Sequence, residues 1–342
     1  MRRNTENLQA LKPYIRRLNS YDEAQFIKLL TSVYGQSYSY QDLYEQGVHS
    51  SLLQNGKLIS YGEFSPEHQL VSHSGFWVKE PNSDYVESGV SFRLPHTSVT
   101  TSPSVTAEEW QKTFKLLADK YSFIHQHCST WHTLAQRYAK KYMQAKECGV
   151  IFNYVENETI RGIETHSNRM HSLIMTTVLN SFIYPVKTVY VPQDLSDWIQ
   201  AAYTRLGLLT QVVPAQKKTV DNDCFSLELL EENTSIQLQR RRVISKREKG
   251  LTEIPLSQCK TDLIHVPMHS ESIMSQLYPL LIQKGYFPCG IRPHIHQADE
   301  LIFQQIKSYK PQLEEWLLEM KIACKLTKEW IAEWQTLVQQ IL

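Results

Sequence analysis

Phe92-Arg93-Leu94-Pro95-His96-Thr97-Ser98-Val99-Thr100-Thr101-Ser102-Pro103-Ser104-Val105-Thr106 is the stretch on which the reading of this chain turns. Gly89 to Leu94 reads as a strand. Ala107 to Lys120 reads as a helix opened by Thr106, with Glu109 three residues on to complete a capping box. The stretch is thus a strand-to-helix connection, where an α/β protein offers free amides and a helix dipole to an anion. It holds no glycine, and Val99, Val105 and the threonines suit positive φ poorly. Pro103 removes one amide. Six Ser and Thr hydroxyls between Thr97 and Ser104, with Arg93 and His96 close by, leave an anion site of a different make.

Toward the N-terminus, Tyr14 to Leu18 reads as a strand, and Asn19, Ser20 and Asp22 as helix-cap chemistry. Phe26, Leu29, Leu30 and Val33 share one face of a helix that ends near Gly35, and a short helix follows at Gln41 to Gln46. Asn55-Gly56 between Ser51–Gln54 and Lys57–Tyr61 is a hairpin signal. Leu70 to Val78 reads as a strand. Beyond the connection come a strand at Ser122 to Cys128, a helix at Leu134 to Met143 and a strand at Val150 to Val155.

The second half repeats the logic with less signal. Thr188 to Pro192 is a strand, and a helix through Leu195, Ile199, Ala202, Tyr203 and Leu206 stops at Gly207. Thr234 to Leu238 reads as a strand, and His265-Val266-Pro267-Met268 is followed by a helix to Ile282 and then Gly285-Tyr286-Phe287. Arg240-Arg241-Arg242 with Lys246, Arg247 and Lys249 reads as the solvated end of a hairpin, an anionic cofactor or acidic partner being the other reading. From Pro311 to Leu342 apolar residues recur at three- and four-residue steps, including Trp316, Trp330 and Trp334. That segment reads as an amphipathic helix that packs on its own domain or joins a second copy.

The order strand, two helices, three strands, helix, strand, helix, strand over Tyr14 to Val155 resembles a GNAT acyltransferase domain. Tyr14-Ile15-Arg16-Arg17-Leu18, Val33-Tyr34-Gly35-Gln36-Ser37-Tyr38, Gly56-Lys57-Leu58-Ile59-Ser60 and His132-Thr133-Leu134-Ala135-Gln136-Arg137 carry the resemblance. Thr188–Pro192, Gly285-Tyr286-Phe287, Gly290-Ile291-Arg292-Pro293 and Asp299–Gln304 are similar to the second module of a tandem protein of this type. The resemblance implies an α/β fold of two tandem GNAT-like modules, each a mixed central sheet flanked by helices. Its bounds are an arm at 1–13, modules at 14–160 and 161–310, and a C-terminal amphipathic helix at 311–342.

By the same resemblance the reaction is acyl transfer from a thioester, acyl-CoA or a phosphopantetheine-linked acyl group, to a small amine-type acceptor. The family's pyrophosphate turn, Arg/Gln-x-x-Gly-x-Gly/Ala, is absent from Phe92 to Thr106, which favours a carrier-bound or otherwise unusual donor. Val90, Phe92, Arg93, Thr97, Ser98 and Ser104 stand where the coenzyme would bind. Glu87, or Glu63, stands where a carboxylate would take the amine's proton, and Tyr138, or Tyr142, on the helix that supplies a proton to the thiolate. The alternatives are a repurposed fold that binds a metabolite or partner, and a thioester decarboxylase or hydrolase.

His125-Gln126-His127-Cys128-Ser129-Thr130-Trp131-His132 is the densest reactive cluster. Strand alternation aims His125 and His127 together. Cys128 beside an imidazole is a candidate nucleophile, so His127, Cys128 and His132 join Glu87 and Tyr138 as candidate catalytic residues. A metal on His125, His127 and His132 lacks carboxylates or a second cysteine, and no metal is expected.

The 36 Lys and Arg against 35 Asp and Glu give no global field to recruit nucleic acid or an anionic membrane. No apolar run approaches the roughly 20 residues that cross a bilayer. Six scattered cysteines without a CxxC pair point to reduced thiols, and with no apolar leader the expected location is the cytoplasm. The expected partners are a small-molecule substrate, an acyl carrier protein and a second copy through 311–342.

Overall fold

The computed structural model describes residues 13–94, 103–129, 134–156, 159–161, 169–180, 183–216, 224–233, 238–246, 254–255 and 257–306. Its first strands are β1 (Tyr14–Arg17), β2 (Leu58–Phe64), β3 (Leu70–Trp77), β4 (Tyr85–Arg93), β5 (Phe123–Ser129), β6 (Lys146–Glu156) and β7 (Arg169–Val178). Between them lie helices α1 (Glu23–Tyr34), α2 (Val48–Gln54), α3 (Pro103–Ala118) and α4 (Leu134–Met143). The rest comprises β8 (Lys187–Val191), α5 (Ser196–Leu206), β9 (Thr210–Pro214), β10 (Cys224–Asn233), β11 (Leu238–Lys246), β12 (Thr261–Pro267), α6 (Glu271–Gln283), β13 (Phe287–Arg292) and β14 (Glu300–Ile306).

The protein is a mixed α/β structure built on one large sheet. Twelve strands run in the order β1-β2-β3-β4-β5-β7-β6-β13-β14-β12-β11-β10, and β8 and β9 form a separate parallel pair. The sheets expected for the two halves are thus fused edge to edge. Residues 169–178, placed in the second half by the sequence reading, are β7, which lies between β5 and β6 and is antiparallel to both.

Counting outward from the seam, the halves repeat. β6-β7-β5-β4-β3 and β13-β14-β12-β11-β10 each run antiparallel, antiparallel, parallel, antiparallel. The seam itself is the pair Gly149↔Gly290. A Cβ at 149 would sit 2.3 Å from the Cys289 carbonyl oxygen and 2.5 Å from the Gly290 Cα, so only glycine permits this approach. Gln304 reinforces the seam. It donates to the Phe152 carbonyl at 2.6 Å and accepts from the Phe152 N–H at 3.0 Å.

α1 and α2 bury Phe26, Leu29 and Leu30 against Phe64, Val90 and Phe92 of the sheet. On the other face, Trp110 and Leu117 of α3 and Met143 of α4 pack on Tyr61, Phe76, Val86 and Ile124. The largest core cluster crosses the seam, joining Phe123, Phe152 and Ile174 to Ile264, Phe287 and Phe303.

Several local readings hold. α4 spans the expected residues, and α5 ends at Gly207, whose φ of 69° is the left-handed cap that glycine accepts. Others change. Residues 48–54 are helical, so Asn55-Gly56 closes α2 instead of turning a hairpin; His49 and the half-buried Leu52 and Leu53 draw that segment onto the core. α3 starts at Pro103, three residues before Thr106, because proline's fixed φ suits a first helical turn. Residues 307–342, with the whole amphipathic tail, and residues 234–237 of the strand expected at Thr234–Leu238 lie outside the described residues.

The Arg240–Arg242 run is a correction. Instead of capping a solvated hairpin it sits in mid-strand on β11, with Arg240 and Arg241 buried and Arg242 half-buried. Alternation sends Arg241 to one face, where it donates to Asp262 (3.1 Å from Nε), Pro255 O (2.7 Å) and Tyr286 Oη (2.9 Å). Arg240 and Arg242 go to the other face and meet acids of distant strands.

Candidate functional site

β4 and β5 are parallel and pair from Tyr85↔Phe123 to Ser88↔Gln126. Both strands continue beyond that pair, β4 to Arg93 and β5 to Ser129, without pairing to each other. The parting coincides with an irregularity between β3 and β4, and with Val90 at a φ of 52°. A β-branched residue in the left-handed region costs on the order of 1–3 kcal/mol. The strain is held from below: His73 on β3, fully buried, meets the Val90 carbonyl through Nδ1 at 2.5 Å. In the second half β11 and β12 pair one position further, to Arg242↔His265, as the shared register from the seam shows. By that register Glu87 corresponds to Arg240 and His127 to His265.

Glu87 and Arg240, equivalent in the repeat, touch. Although β4 and β11 stand seven places apart, the sheet curls until Arg240 donates to Glu87 Oε1 at 2.8 Å. Arg292 of β13 donates to the same oxygen at 2.8 Å, and Lys79 Nζ lies 3.7 Å from Oε2. Burial opposes the charge on Glu87, but Arg240, Lys79, His127 and Arg292 outweigh it and hold the carboxyl well below its usual range. A carboxylate so stabilised is a weak base.

His127 stands beside this clamp. Its Nε2 lies 3.4 Å from an Arg240 N–H and 3.5 Å from Glu87 Oε1, and its ring stacks on Tyr154 with centroids 5.1 Å apart. Arg240 also donates to Tyr154 Oη at 3.0 Å. Burial brings His127 down to about 4 against the pull of Glu87, so the ring is neutral at pH 7.

The network continues across the junction. His125 shares a hydrogen bond with Thr176 Oγ1 at 2.9 Å. His294 sits between Asp84 (3.4 Å) and Glu300 (3.5 Å), while Glu300 also takes Arg242 at 2.5 Å and His265 at 2.9 Å. Burial lowers His294, but Asp84 and Glu300 outweigh it and raise it above the ordinary histidine value. Burial likewise opposes charge on Glu300, and His265 and His294 hold it well below the carboxylate range.

Among the other expected residues Cys128 and Tyr138 lie on the face away from Glu87, while Val90 and Phe92 lie on the α1 face. Cys128 points away from Glu87, and burial, with Glu147 adding, pushes its thiol up to about 12. At neutral pH it is a protonated, buried thiol, which opposes the nucleophile reading. Tyr138 lies between Trp110 and Tyr142, its hydroxyl beside Ser74 of β3 without a hydrogen bond of regular geometry. Burial pushes that hydroxyl well up. Phe92 packs with Val90 under α1, while Arg93 pairs with Glu63 through contacts of 2.6 and 3.3 Å. Ser104 lies in the first turn of α3. Thr97, Ser98 and His132 lie outside the described residues.

Arg240, Arg292, Tyr154 and His73 were missed by sequence reasoning. Gly290-Ile291-Arg292-Pro293 enters the sequence reading only through the resemblance to a second module, and a basic run reads as solvent-facing unless its acids can be placed. Among the described residues no group of three His, Cys, Asp or Glu is arranged to hold a metal, and no helix is long and apolar enough to cross a membrane.

No family model and no curated protein matches the sequence. Among solved structures the chain is similar to a spermidine N-acetyltransferase from Vibrio cholerae in complex with CoA and spermine, at 11% identity, 49% of this chain, 96% of that one and a TM-score of 0.37. It is similar to a ribosomal-protein-S5-alanine acetyltransferase from Vibrio fischeri at 9% identity, 50% of this chain, 94% of that one and a TM-score of 0.37. A likeness this low carries no weight for function, which rests on the geometry above.

Proposed function

We propose that the chain is a tandem GNAT-like acyltransferase that uses an acyl thioester and a small amine-type acceptor, with its chemistry at the β4–β5 parting. The observation that carries the reading is that parting, with the Val90 bulge at its mouth and α3 starting beyond the connection. Parallel strands that separate open a slot in a sheet, and a bulge leaves one amide without a ladder partner, a donor for a carbonyl oxygen. The N-terminal turn of α3 favours the donor's phosphates.

In this reading the amine lone pair attacks the thioester carbon, the C–N bond forms, and the C–S bond breaks. Tyr138 gives its proton to the departing thiolate, its high affinity for that proton keeping it in the acid form until then, and regains one through solvent from the ammonium nitrogen of the adduct, so that the amide and the thiol both leave neutral. Glu87 serves as an anchor for Arg240 and Arg292. Acyl-CoA and a phosphopantetheine-linked acyl group are the candidate donors, and a carrier protein and a second copy through 311–342 the candidate partners.

Isothermal titration with CoA, acetyl-CoA and phosphopantetheine, followed by thiol release with an amine panel, tests the reading. Saturable binding and amine-dependent thiol release are expected. Absence of binding to all three donors sinks it. It would favour the second reading, a GNAT-like fold kept as a metabolite- or partner-binding protein, which the clamped, weakly basic Glu87 supports.

A further inference from the structure

Several buried histidines keep one ring nitrogen without a hydrogen-bond partner, among them His49, His73, His125, His127 and His265. They are not equivalent. The Nδ1 of His73 faces a carbonyl and that of His265 a carboxylate, which only accept. Those nitrogens carry the proton, and the unpartnered Nε2 is a lone pair. His49 and His125 face hydroxyls, which can donate or accept.

His127 is the reverse case. Its Nε2 lies 3.4 Å from a guanidinium nitrogen of Arg240, which can only donate, and 3.5 Å from Glu87 Oε1, which can only accept; the tautomer that accepts from Arg240 carries its proton on Nδ1. Glu87 Oε1, slightly farther from Nε2, already accepts from Arg240 and Arg292. In that tautomer His127 holds a buried N–H without an acceptor among the described residues, and an orphaned donor is costlier and rarer than a spare lone pair. It is also the first β5 residue past Gln126, the last to pair with β4. Stacking on Tyr154 fixes the plane of the ring.

We propose that His127 is a catalytic hydrogen-bond donor whose Nδ1–H polarises the thioester carbonyl at the β4–β5 parting, an inference that rests on the acyltransferase reading. As the amine adds, the carbonyl π pair moves onto oxygen and the Nδ1–H hydrogen bond strengthens. The pair then returns, the C–S bond breaks with its electrons on sulfur, and His127 keeps its proton throughout. A neutral imidazole suits this role, being a donor that neither gains nor loses charge.

The test joins kinetics to a readout that needs no turnover. His127→Asn keeps an N–H at the Nδ1 position, His127→Gln keeps one at the Nε2 position, and His127→Phe keeps only the stack on Tyr154. With acyl-CoA affinity within about threefold of the parent in all three, kcat should fall roughly 10²–10³-fold in His127→Phe and His127→Gln. The Asn variant should stay within about tenfold. Nitrogen-15 NMR of the parent should show the neutral Nδ1–H tautomer from pH 5.5 to 8.5. An Nε2–H tautomer, an unchanged kcat in His127→Phe, or rescue by Gln and not by Asn overturns the inference while acyl-CoA binding stands. A parent chain that binds no acyl donor overturns the acyltransferase reading and this inference with it.

Discussion

Replacing Glu87 by glutamine keeps the shape of the side chain and removes the charge on which Arg240 and Arg292 converge. Both guanidiniums contact one oxygen at 2.8 Å, and all three side chains are at most 5% exposed, so water cannot substitute for the lost carboxylate. Each charge-assisted hydrogen bond contributes about 1.5–3 kcal/mol, and stranding a buried partner costs about 3–5 kcal/mol in all. For a chain of 342 residues unfolding as one unit, that is a drop in Tm of about 4–7 °C. The sign with pH follows from the depressed carboxyl. Glu87 stabilises the fold above the unfolded carboxylate value near 4.5, and that share is lost as pH falls toward its folded value. Glu87→Gln should therefore unfold earlier at pH 7, by scanning calorimetry, and lose less than the parent between pH 5 and 3. A Tm within 1 °C of the parent at pH 7 refutes the clamp, as does an unchanged acid slope.

Five buried histidines have folded values far below 6.5: His49, His127 and His265 near 4, His73 near 3, and His125 well down as well, all chiefly through burial. The unfolded chain takes up these protons first as pH falls through 6.5, so the urea midpoint should drop steadily from pH 7 to 5; a flat midpoint contradicts their burial. His294 acts in the opposite sense, since its raised value stabilises at low pH and fades as pH rises through it. Cys128, with Cys148 near 12 and Cys289 higher still, should resist iodoacetamide at pH 8 in the native protein and react on unfolding; native alkylation at Cys128 by mass spectrometry counts against the assigned burial. Gly149→Ala places a Cβ against backbone at 2.3 and 2.5 Å and should cost about 3 kcal/mol or more by urea unfolding. A change under 0.5 kcal/mol contradicts the seam.

What the sequence disclosed was local. The periodicity of Leu134–Met143 and the Gly207 cap are properties of a dozen neighbouring residues, and they read correctly. Asn55-Gly56 misled because the same dipeptide that turns a hairpin also ends a helix, and the core contact of His49 decided between them. The site depended on distance along the chain. Arg240 reaches an acid 153 residues away, Arg292 the same acid across 205, and Arg242 one across 58. No window of sequence contains both members of such a pair, so the arginines looked like a solvated run. Glu87 and His127 were legible as residues in a suggestive place. Their protonation was not, because it is set by burial and, for Glu87, by Arg240, whose position exists only once β11 has curled over β4.

The central claim is that the β4–β5 parting receives an acyl donor. Hydrogen–deuterium exchange with and without saturating acetyl-CoA measures this in place. The account predicts new protection in peptides covering Tyr85–Arg93, Phe123–Ser129 and the first turn of α3, with β10 and β11 unchanged. Protection confined to the second half, or none at all, would contradict it.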